Sequence, residues 1–103
     1  MTEQTMFSCP CCGSLTFSEP PPGTFEICGA CRWEDDDFQF DNPDASEGAN
    51  HVSLREAREN YRKYGIGDPR KWAVHPARAP ANWREIVVRF KAERGSDEDP
   101  YSG

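Results

Sequence analysis

Two pairs of cysteines set the tightest limit on what this chain can fold into. Cys9-Pro10-Cys11-Cys12 and Cys28-Gly29-Ala30-Cys31 each enclose two residues, and fifteen residues separate the pairs. A two-residue spacer lets a tight turn aim both thiolates at one point, about 2.3 Å from a tetrahedral cation, and two such turns complete the tetrahedron. The spacing is that of a zinc ribbon, with Cys9, Cys12, Cys28 and Cys31 as ligands of one Zn2+ ion. Four thiolates close the coordination shell, so the expected site is structural rather than catalytic. Iron in a rubredoxin-like tetrahedron takes the same four sulfurs, and an electron-transfer role is the alternative that goes with it. Gly13, just past the first pair, suits a turn that takes positive φ.

The rest of the chain explains why such a centre is needed. Of 103 residues only fifteen are Leu, Ile, Val or Phe, below the roughly 20% at which disorder becomes an option. A structural zinc site contributes roughly 10–16 kcal/mol in small peptides and offsets a thin core. The fifth cysteine, Cys11, reads as a packed bystander, because a one-residue spacing from Cys9 makes a poor chelating turn. His51 reads as a loop residue before a helix, and His75 is assigned no role. The N-terminus lacks a basic start followed by an apolar run, and no apolar stretch approaches a membrane span. Both features, with cysteines clustered as ligands rather than as a disulfide framework, predict a cytoplasmic protein with no membrane association.

The expected architecture is α+β, a small zinc-ribbon or rubredoxin-like β-hairpin module followed by two or three helices. Residues 1–6 form an N-terminal extension and residues 7–78 the metal-binding domain. Within it, residues 7–33 hold every cysteine in short hairpins, residues 34–50 form an acidic loop without helical period, and residues 53–65 form a helix. That helix opens on the capping box Ser53 to Glu56 and stops at Gly65. Asp68-Pro69 can start a further short turn. Trp83, Ile86, Val87 and Phe90 recur at helical spacing before Gly95, which predicts an amphipathic helix over 79–95. Residues 96–103, charged and apolar-poor, are expected to be disordered.

The run CPCCG, then FEICGACRWEDD, Asn42-Pro43-Asp44, Gly48-Ala49-Asn50 and SLREARENYRKYG resembles the bacterial cysteine-rich CPCC domain family over roughly residues 6–76. The resemblance implies a zinc-ribbon or rubredoxin-like metal-binding module and assigns no activity.

The charge narrows the partners. Eighteen acidic side chains against twelve basic ones give a formal charge of −6, which argues against a binder that tracks phosphates, although Arg55, Arg58, Arg62 and Lys63 make a local basic face. No catalytic fingerprint occurs: there is no nucleophile elbow, phosphate-binding loop or zinc-protease motif. A calcium loop fails for want of the central glycine. Trp33, Glu34, Asp35, Asp36 and Asp37, with Phe38 and Phe40 following, suggest an edge that anchors a protein partner through rings and steers a basic one by charge. A solvated loop with its rings tucked inward is the plainer reading. The expected function is therefore a non-enzymatic zinc-binding, protein-binding module, or, more sharply, an immunity protein that neutralises a basic toxin.

Overall fold

The computed structural model describes residues 6–101. Two short antiparallel strands, β1 (Phe7–Ser8) and β2 (Leu15–Phe17), pair as a hairpin. Three α-helices follow: α1 (Asp37–Asp41), α2 (Leu54–Tyr64) and α3 (Trp83–Arg94). Two 3-10 turns, Pro69–Ala73 and Pro76–Arg78, lie between α2 and α3. The class is α+β. The chain divides into two compact units at Asp68 and Pro69, ten residues earlier than the break placed at residue 78 on sequence, because the Pro69–Ala73 turn packs on α3. Among the described residues no helix is long and apolar enough to cross a membrane.

In the first unit a second hairpin-like segment follows β2. Phe25 N–H donates to the Asp35 carbonyl (3.1 Å), Asp35 N–H to Glu26 (2.9 Å) and Cys28 N–H to Trp33 (2.9 Å), with a single bridge between Ile27 and Glu34. Asn50 substitutes for a further strand: its side-chain oxygen accepts from Glu34 N–H (2.9 Å) and its amide nitrogen donates to the Glu34 carbonyl (2.8 Å).

Residues 34–50 depart from the extended acidic loop that their composition predicted, because they contain α1. Asp36 caps it, Oδ1 accepting from Gln39 N–H at 3.1 Å; five residues are too few to show a helical period. Asp36 Oδ2 also accepts from Ala49 N–H (2.9 Å). Gln39, wholly buried, donates to the carbonyls of Ala45 (3.1 Å), Asn50 (3.4 Å) and Val52 (3.0 Å) and accepts from the backbone and side-chain amides of Asn50 (3.1 and 2.9 Å). A Cβ at Gly48 would lie 2.9 Å from both Asp36 and Gln39, and its φ is +139°. Glycine is required there by both space and conformation. A polar network thus stands where a small chain lacks apolar residues.

α2 follows the sequence expectation. Ser53 Oγ accepts from Glu56 N–H (3.0 Å), Gly65 ends the helix at φ 83°, and Leu54 and Ala57 are buried. In the second unit α3 buries Val87 and Phe90 and ends at Gly95 in the left-handed region. The tail corrects the expectation of disorder. Over the described residues up to Tyr101 it folds back: Arg70 donates to the Glu98 carbonyl (3.4 Å), Lys91 pairs with Asp99 (3.7 Å), and Lys71 lies 5.7 Å from the Tyr101 ring. Cationic side chains of the same unit thus meet a carbonyl, a carboxylate and a ring of a segment that composition alone assigned to solvent. Most of the expected N-terminal extension and the last two residues lie outside the described residues.

Candidate metal centre

Each cysteine pair sits on a turn of the same design. In the first, Cys9 N–H donates to Ser14 (2.9 Å) and Gly13 N–H to the Cys9 carbonyl (2.8 Å), with Gly13 at φ 78°. In the second, Arg32 N–H donates to the Cys28 carbonyl (2.9 Å), with Arg32 at φ 69°. Gly13 and Arg32 occupy equivalent places, each one residue beyond a C-x2-C pair. The left-handed residue lets the chain reverse while backbone N–H groups face the first sulfur. Cys11 N–H points at Cys9 Sγ (3.4 Å), and the N–H groups of Ala30 (3.3 Å) and Cys31 (3.5 Å) point at Cys28 Sγ.

The two turns bring the sulfurs of Cys9, Cys12, Cys28 and Cys31 within 4.8 Å of one another. Cys9 and Cys31 are 3.7 Å apart, as are Cys12 and Cys28. A tetrahedron of sulfurs about 2.3 Å from a central ion has edges of roughly 3.8 Å, so the donor set fits a four-coordinate cation. Cys9, Cys28 and Cys31 are buried and Cys12 half-buried.

A scan against protein-family models matches the one described as cysteine-rich CPCC over residues 7–82. The chain belongs to the cysteine-rich CPCC family. No curated protein matches it. The family match ends at the residue before α3.

The electrostatics of the CPCC tetrad are uneven. Hydrogen bonds from Cys31 and then Cys9 hold the Cys28 thiol well below the ordinary thiol range, and Thr16 Oγ1, 3.1 Å from its sulfur, adds to the effect. Cys9 is pushed up to about 12, first by its hydrogen bond to Cys28. Cys31 is raised, first by its hydrogen bond with Cys11. A cation among the sulfurs would favour their thiolate forms.

α2 clasps both CPCC turns. Arg58 Nε donates to the Pro10 carbonyl (3.0 Å). Asn60 donates to the Gly67 carbonyl (2.8 Å), and Gly67 N–H donates to the Cys31 carbonyl (2.9 Å). A Cβ at Gly67 would meet Cys31 O at 3.4 Å and Cys11 Sγ at 3.8 Å. Cys11 is therefore buried beside the tetrad without belonging to it, and His51 and His75 are exposed and outside it.

The acidic candidates divide. Trp33, Asp35 and Asp36 are buried, which corrects their placement on a partner-facing edge. Asp36 caps α1, and Asp35 Oδ2 accepts from both the backbone N–H (2.9 Å) and the hydroxyl (2.8 Å) of Thr24. Glu34 is half-buried beside Asn50; of the five, Asp37 alone is exposed. Gln39 and Asn50, which organise this segment, carried no sequence signal beyond the Gly48-Ala49-Asn50 motif.

Proposed function

We propose that this CPCC protein is a non-enzymatic, cytoplasmic module in which Cys9, Cys12, Cys28 and Cys31 hold one structural Zn2+ ion and whose acidic surface binds a basic protein. The sulfur tetrad carries this reading. Its edges fit a four-coordinate ion, and four protein ligands leave no coordination position for a substrate or a water. A zinc ion also suits a first unit whose interior relies on polar contacts, because metal binding is itself folding free energy. The protein-binding half is supported by charge: up to Asp68 the chain has thirteen acidic side chains and five basic ones. Neutralisation of a cationic toxin is the sharpest form of that half.

Native mass spectrometry of the full chain, taken untagged from its own cells, tests both halves in one spectrum. One bound zinc and a retained second polypeptide are the expected masses. Bound iron, with the visible absorption of an iron–sulfur tetrahedron, overturns the zinc assignment; a chain that carries zinc but retains no polypeptide overturns the partner.

A further inference from the structure

Beyond Met6, the first unit leaves five large apolar side chains exposed among the described residues: Leu15, Phe25, Ile27, Phe38 and Phe40. They come from two stretches that touch. A Cβ at Gly23 would lie 3.6 Å from that of Asp37, so the turn leading into Phe25 rests on the first turn of α1, which carries Phe38. Phe25 adds an observation of its own. It is 63% exposed and yet held at φ 60°, in the left-handed region that glycine or asparagine enters at much lower cost. Its N–H bond to Asp35, and the two bonds from Thr24 to the buried Asp35 carboxylate, fix that conformation. A ring filling the interior would explain strain; a strained ring turned to solvent does not add to the core, and such strain concentrates at functional positions.

Charge identifies what fits. Residues 15–27 and 34–48 contain no Lys, Arg or His, and of their acids Glu19, Asp37, Asp41, Asp44 and Glu47 are exposed, Asp44 being paired with Arg55. Asp37 and Asp41 are exposed on the same short helix as Phe38 and Phe40. Rings set among carboxylates favour a guanidinium, whose planar cation stacks on an aromatic face while its N–H groups meet carboxylates. We infer that Phe25, Ile27, Phe38 and Phe40 form the docking surface for an arginine-bearing segment of a protein partner. This inference rests on the protein-binding half of the proposed function.

The test titrates the full, zinc-loaded, 15N-labelled chain with a peptide alternating arginine and glycine, with lysine–glycine and glutamate–glycine peptides as comparators. Expected are saturable shifts centred on Phe25, Ile27, Phe38 and Phe40, tighter binding of the arginine peptide than of the lysine one, and weakening with salt. Phe25→Ala and Phe38→Ala each lower the affinity roughly two- to fivefold, whereas Val88→Ala in α3 leaves it unchanged. An unaltered spectrum outside the patch shows that each variant is folded. Shifts confined to α2, equal binding of the arginine and lysine peptides, or no saturable binding overturns the inference. If a polypeptide is retained equally by the unaltered chain and by the Phe25→Ala, Phe38→Ala double variant, the patch is wrong while the module reading stands.

Discussion

Gln39 shows how a single side chain replaces apolar mass in this protein. Its amide meets three carbonyls and its oxygen two N–H groups, so removing it strands several buried polar groups at once. Gln39→Ala is expected to cost at least about 3 kcal/mol, read as a lower midpoint in denaturant unfolding of the metal-loaded chain. Gly48→Ala acts on the same network by collision and should behave similarly. The cysteines divide just as sharply. Cys28→Ser removes the sulfur that three backbone and side-chain donors favour as a thiolate, and is expected to abolish metal binding and unfold the first unit. Cys11→Ser leaves the tetrad complete, and metal content by mass is expected to stay at one ion per chain. An equal loss in both variants would show that Cys11 is a ligand.

Elements were legible in the sequence where their signals are local. Ser53, Glu56 and Gly65 announce α2 because capping involves atoms within one turn, and Ser53→Ala should lower stability by about 1 kcal/mol in the same unfolding experiment. The ligand turns were equally legible, since C-x2-C geometry is fixed by four residues. α1 was not, because five residues carry no period and its acids look like any solvated run. Nor was the burial of Trp33, Asp35 and Asp36, whose partners Thr24 and Ala49 lie 11 and 13 residues away. Arg32 illustrates the same limit: nothing in its identity signals a left-handed residue, and only the parallel with Gly13 across the two turns makes it intelligible.

At the scale of the molecule, stability should follow pH through both metal and carboxylates. Glu26 accepts from Ser18 N–H (3.1 Å), the Ser18 hydroxyl (2.9 Å) and Glu19 N–H (3.1 Å), and its carboxyl is lowered first by the Ser18 backbone bond. A lowered folded-state pKa contributes stability that is present above the unfolded value and lost as pH falls through the folded one. Glu26→Gln should therefore flatten the acid limb of the stability curve below about pH 4.5 and leave the neutral region without pH dependence from this group. Metal removal acts at every pH: excess chelator at neutral pH should unfold the first unit, followed by loss of the Trp33 near-ultraviolet signal.

The order of these parts along the chain also has a consequence in time. All four ligands precede Arg32, whereas Asn50, Arg58 and Gly67, which close the polar network and clasp the two turns, come later. On a ribosome, where segments emerge in sequence, the thiolates are free to take up a cation before the parts that bury them have been made. The ion is then a template on which the later segments assemble, and a chain that misses it during synthesis keeps its first unit open until the metal arrives.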